Sequence, residues 1–172
     1  DRWVVAGHLG SEALGQYSLA IMALSAVALL PQVISQQFYP RMAYAWSATK
    51  APAELRRLAS RQRIFTFVAV VPVVGLMMLV APPVVRSFLP QYAPGIPAVL
   101  VTALVPLVVT IGEGYGGILH VLNRQLWYMA AILLAGLVNL GASLALVELL
   151  GLVGVALGTL LAFSFLAALR VV

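Results

Sequence analysis

Five apolar runs, each long enough to cross a bilayer, are strung along this chain at about residues 16–38, 64–85, 95–119, 126–147 and 151–169. A hydrocarbon core about 30 Å thick takes ~20 residues of helix, and each run is close to or above that length. They restrict the chain to an all-α, polytopic membrane helix bundle. The one sizeable hydrophilic interruption then decides how the bundle is oriented. It is the stretch 41–63, RMAYAWSATKAPAELRRLASRQR, which holds six of the ten basic residues and a single acid, Glu54. Carrying Lys and Arg across a membrane is disfavoured, so 41–63 is expected as a cytoplasmic loop. Every other depth is counted outward from it.

Composition agrees with this reading. Hydrophobic residues make up 63% of the 172-residue chain and charged residues only 9%, whereas soluble domains run nearer half and a quarter. A net charge of +5 would suggest nucleic acid in a soluble protein. Here most of it comes from one stretch and reads as a topology signal, so no nucleic-acid partner is expected. The absence of Cys excludes disulfides, thiolate metal sites and Cys nucleophiles. The chain opens Asp1-Arg2-Trp3 without a signal peptide and closes on Val171-Val172 straight after an apolar run. It is therefore expected to be a piece of a larger membrane protein.

Residues 1–15 are too short to span and are expected to be the end of a sixth helix, followed by a turn at Gly10-Ser11-Glu12. Pro31 should kink the first span, and Tyr39-Pro40-Arg41 should close it. Within the basic stretch, 52–63 has Pro at a first helical position and Leu55 and Leu58 on one side, the pattern of a short interfacial helix. The second span returns outward to a proline-broken loop at 86–94, and the third runs inward to His120 and a turn at Asn123-Arg124-Gln125. Trp127 and Tyr128 begin the fourth at interface depth; it ends near Glu148, and the fifth comes in to Arg170. On this topology Arg124 and Arg170 join the basic stretch inside, giving eight of the ten basic residues, with Arg86 outside.

Polar residues within the spans fall into stripes. Thr102, Pro106, Thr110, Glu113, Gly117 and His120 follow steps of three or four and are expected on one face of the third helix. Glu113 matters most among them. An acid within the hydrocarbon costs on the order of 2.5–3.5 kcal/mol to insert, so it should face other helices or water. It reads either as a proton, cation or substrate contact in a transport cavity, or as a hydrogen-bonded tie between helices. Arg2, with Asp1 beside it, is its expected partner. Ser18, Ser25, Gln32 and Gln36 make a second stripe, and Tyr128, Asn139 and Ser143 a third. Their convergence suggests a shared polar interior, with Asp1, Arg2, Gln32, Gln36, Thr110, Glu113 and Asn139 as candidate cavity residues.

Small residues form ridges for close helix packing: Gly151, Gly154, Gly158 and Ala162 in the fifth span, Gly112 and Gly116 in the third. Gly112-Glu113-Gly114-Tyr115-Gly116-Gly117 matches a dinucleotide fingerprint but follows no strand and opens no crossover helix, so no nucleotide cofactor is implied. His8 and His120 fall on opposite sides of the membrane, no acidic pair has metal-ligand spacing, and no catalytic triad can be assembled. Neither a metal nor enzymatic activity is expected.

Four stretches carry a resemblance to a known family: DRWVVAGHLGSEALGQYSLA, LPQVISQQFYPRMA leading into the basic stretch, FLPQYAPGIPAVLVTALVP, and LVELLGLVGVALGTLLAF. In this order they resemble the C-terminal half of polysaccharide and O-antigen flippases, in the superfamily that also holds multidrug-and-toxin extruders and lipid II flippases. The resemblance implies one lobe of a two-lobed transporter that moves lipid-linked oligosaccharide across the bacterial cytoplasmic membrane by alternating access. It also implies that Asp1 and Arg2 face the central cavity, and that an N-terminal lobe of the same chain is a partner. A drug–cation antiporter of the same superfamily and a membrane-embedded polysaccharide-synthesis enzyme are the alternatives.

Overall fold

Inside a bilayer every backbone N–H and C=O must be satisfied by the protein, and helices do this within one segment. The structure, a computed structural model, describes residues 1–171, the last by its backbone alone; Val172, which closes the expected lobe, lies outside the described residues. The described residues form an all-α bundle: α1 (Arg2–Thr49), α2 (Pro52–Phe88), a 3-10 turn Pro90–Gly95, α3 (Ile96–Thr102), α4 (Val105–Gly112), α5 (Tyr115–Val121), α6 (Gln125–Leu150) and α7 (Leu152–Val171). Five segments are long and apolar enough to cross a membrane: Arg2–Thr49, Pro52–Phe88, Pro90–Gly112, Gln125–Leu150 and Leu152–Arg170. The chain is a multi-pass membrane protein.

The expected helix end at Gly10 is present. Gly10 has φ 84° and ψ 179°, which breaks α1 there. The chain doubles back, so that Tyr17 Oη donates to Asp1 Oδ2 at 3.2 Å and Val4 and Val5 pack beside Tyr17 and Ala20. From Ser11 the helix then runs unbroken through Pro31 and Pro40 to Thr49.

That continuity corrects the sequence reading at the basic stretch. Residues 41–63 are not a loop with a separate interfacial helix. They are the tip of a helical hairpin made by the ends of α1 and α2, joined only at Lys50 and Ala51. Lys50 takes the left-handed conformation (φ 52°) and its N–H caps Trp46 O at 3.0 Å; Pro52 opens α2 as expected. The reason is local. Ala, Arg, Leu, Met and Gln dominate this stretch and are strong helix formers. Met42, Leu55 and Ala59 also bury one face against Phe38, Leu58, Ile118 and Val121. A fully buried Leu or Met side chain contributes about 1.5–3 kcal/mol where water is the competing solvent. At about 1.5 Å per residue, Ser11–Thr49 is about 58 Å long and α2 about 55 Å, well beyond a ~30 Å core.

The third expected span is also corrected, because it is one path made of three helices. Between α3 and α4 the chain only tightens, with Leu104 N bonded to Val101 O at 3.1 Å and Leu107 N to Leu104 O at 3.1 Å. Pro106 supplies no N–H there. Between α4 and α5 it unwinds: Glu113 is extended (φ −65°, ψ 144°) and Gly114 has φ 84°. Any Cβ at Gly114 would lie 2.6 Å from the carbonyl oxygen of Ala59, so α5 starts in direct backbone contact with α2. The expected turn at Asn123 is present, with φ 57°. At the other end, α6 and α7 pack through the predicted ridge, where Gly154 meets the backbone of Leu146 and Gly158 meets Ser143.

Candidate functional site

The residues that can do chemistry collect at the end of the bundle from which the basic hairpin emerges. There a cavity of about 440 Å³ lies between α1, the α4–α5 break, α6 and α7. Ser35, Gln36 and Tyr39 come from α1, Glu113 from the break, His120 from α5, Tyr128 from α6 and Arg170 from α7. Gly116 and Gly117 let Tyr128 and Met42 approach α5 closely enough to shape the wall.

Unwinding puts Glu113 outside any helix, so its carboxylate does not belong to the continuous stripe expected from the spacing. Gln62 Nε2 donates to Glu113 Oε2 at 2.8 Å. Gln62 is itself buried, on the α2 face that also presents Leu55, Ala59, Thr66 and Val70. Arg2, the expected partner, lies elsewhere: it is exposed beside Asp1, whose carboxylate accepts from the Arg2 backbone N–H at 2.7 Å. The reversal at Gly10 returns Asp1 to the level of Tyr17. Gln36 and Tyr39, beside Glu113, lie roughly 28 Å or more further along α1 at 1.5 Å per residue.

Arg170 is the cation that does share this cavity. Its guanidinium lies 5.0 Å from the centre of the Tyr128 ring, and Nη2 donates to Tyr128 Oη at 3.0 Å. The Arg170 Nε–H is buried without a partner. Among the described residues the one ion pair is Arg57 with Glu54, so Arg170 and Glu113 line one cavity without bonding each other. His120 packs between Tyr128 (centroids 4.8 Å apart) and Tyr39 (6.5 Å). A carboxyl group, a carboxamide, a guanidinium and three polar rings around one space suit a hydroxyl-rich ligand with an anionic group. Arg is the side chain best matched to a phosphate or carboxylate.

Arg170 also borders a second cavity of about 480 Å³, lined by Asp1, Asn139 and Thr159 and by apolar groups of Leu24, Ile132 and Phe163. Asn139 Nδ2 donates to Thr159 Oγ1 at 3.2 Å, and Thr159 passes its hydroxyl to Val155 O at 3.1 Å. The candidates from sequence are thus divided. Gln36 and Glu113 share the first cavity, Asp1 and Asn139 the second. Gln32 is exposed and borders neither, and Thr110 faces a third space on the far side of α4. Arg2 lines none of the three.

Sequence reasoning missed Gln62 and Arg170. Gln62 had a usable signal, since Leu55, Ala59, Gln62, Thr66 and Val70 step by four, three, four and four, a buried face once the stretch is treated as helix. Arg170 had none: a cation at the end of a span looks like any topology charge. No protein-family model matches the chain, and no curated protein or solved structure matches it.

Proposed function

We propose that this chain is one lobe of a transporter that flips lipid-linked oligosaccharide across the bacterial cytoplasmic membrane, as the resemblance to the polysaccharide flippases implies. The reading is supported above all by one arrangement. Arg170 stands where a polar, aromatic-lined cavity meets a more apolar one. An amphiphile with a sugar head, an anionic junction and a hydrocarbon tail has the same three parts in the same order. The helix break at Glu113-Gly114, at the end of the Pro90–Gly112 span, adds support, since unwound segments are where membrane transporters commonly place their binding groups. The N-terminal lobe would supply the facing wall.

The test uses the full-length protein in cells. Loss of a flippase leaves the sugar-phosphate lipid on the inner leaflet, and Arg170→Gln should reproduce that accumulation with the protein still inserted. Drug–cation antiport is the second reading, favoured by the half-buried acid Glu113 at the break. It predicts raised drug sensitivity on loss instead, with no lipid-linked sugar accumulating.

A further inference from the structure

We infer that the groove between α2 and α4 is a binding site for an anionic phospholipid. The groove encloses about 310 Å³ and is lined by Arg63, Ile64, Phe67, Thr110 and Ile111. It opens sideways, because Ile64, Phe67 and Ile111 are each about half exposed or more (61%, 49% and 51%) on the outside of the bundle. Its chemistry is divided along its length. Arg63 stands at the end from which the basic hairpin emerges, directly before the apolar run 64–85, and the rest of the lining is hydrocarbon apart from one hydroxyl. That hydroxyl is engaged, since Thr110 Oγ1 donates to Leu107 O at 2.6 Å. A water cluster needs two to four polar partners per molecule, and this lining does not offer them. An acyl chain does not need them.

The charge selects the head group. Among the described residues Arg63 makes no ion pair: the one ion pair is Arg57 with Glu54 at 2.7 Å, and the Glu113 carboxylate accepts from Gln62, the residue before Arg63. Arg56 lies seven residues before Arg63 on the same face of α2 and is exposed. A phosphate at the membrane surface can therefore take the Arg63 fork, with Arg56 above it and the acyl chain running down over Phe67 and Ile111. Zwitterionic lipids offer the same phosphate but bring a cation towards Arg56. The site also has a position from which to act. Gln62 adjoins Arg63, and Thr110 lies three residues before Glu113, so the groove walls are the backs of the two segments joined by the Gln62–Glu113 hydrogen bond. A lipid seated there would hold α2 and α4 at a fixed spacing. The inference requires only that the chain spans a bilayer, and is independent of what is transported.

The experiment is native mass spectrometry of the full-length protein in detergent, titrated with phosphatidylglycerol or with phosphatidylcholine of identical chains. One phosphatidylglycerol should be retained in preference to phosphatidylcholine. Arg63→Gln should weaken that retention about tenfold, the loss of a charge-assisted contact. Ile111→Trp, which fills the apolar end and leaves every charge in place, should weaken it as well. Arg61→Gln, an exposed cation turned away from the groove, should change little. Equal retention of the two lipids, or unchanged retention in both Arg63→Gln and Ile111→Trp, overturns the site. So does an Arg61→Gln loss as large as that of Arg63→Gln, which would mark diffuse attraction to a basic surface.

Discussion

Half-buried Glu113 accepts from buried Gln62, and substitutions of the acid should separate by chemistry. Glu113→Gln keeps the shape and a hydrogen-bonding end, so expression and insertion of the full-length protein should hold. If the acid is the coupling group, transport should fall and its dependence on outer pH should flatten. Normal flux across the pH range in Glu113→Gln would end that idea. Glu113→Ala leaves the buried Gln62 carboxamide unpaired, at a cost of about 1–3 kcal/mol, and should lower yield and thermal stability in detergent. Gly114→Ala should be as damaging without touching any polar group. Its φ of 84° and the 2.6 Å approach to Ala59 O leave no room for a Cβ, and strain of this kind costs on the order of 1–3 kcal/mol. An unchanged melting temperature for Gly114→Ala would mean that α5 can move away from α2. The acid itself was legible in the sequence, because a carboxyl group inside an apolar run is conspicuous. Its partner was not, because hydrogen bonding across 51 residues of separation leaves no mark on local spacing.

At the scale of elements, apolar length and loop charge made the spans legible, and helix continuity was the part hidden from view. Tyr39-Pro40-Arg41 suggested the end of the first span, yet α1 runs on through Pro40, since a proline removes one donor and neighbouring packing can hold the rest of the helix. The opposite error occurred at Glu113. A run of residues at steps of three and four suggested one unbroken face, and Gly112 and Gly116 suggested close packing. Gly114 instead supplies the conformation that ends the helix. Two measurements check the resulting topology and shape. A single Cys introduced at Thr49, at the hairpin tip, should be shielded from impermeant reagents in intact cells, while one at Gln91 should react; the reverse order would invert the bundle. Amide exchange in the purified protein should show protection continuing from Phe38 through Trp46 and from Leu55 through Arg63. Fast exchange across 41–63 would restore the loop.

At the scale of the whole molecule, the expected shared interior gives way to separate spaces: Gln36 and Glu113 line one cavity, Asp1 and Asn139 a second, and Thr110 a third. The stripe argument places residues on helix faces and leaves helix rotation and depth open. The return at Gly10 decided the outcome, by lifting Asp1 to the level of Tyr17 and away from Glu113. In the α6–α7 pair, Gly154 and Gly158 seat one helix directly against the backbone of the other. Gly158→Leu should therefore separate the two helices and abolish accumulation of folded protein, whereas Gly136→Leu, with open space around its Cβ position, should be tolerated. Equal yields of the two variants would remove the ridge as the basis of that packing.

The hairpin tip has a practical consequence for seeing the protein at work. Small membrane proteins are hard to image because nothing rigid projects from the detergent belt to align on. Here two continuous helices leave the bilayer together and meet at a two-residue turn, Lys50-Ala51. A helical fusion partner spliced in at that turn, in phase with both helices, would inherit their orientation without a flexible joint, and would report every tilt of the buried segments as a visible swing outside the membrane.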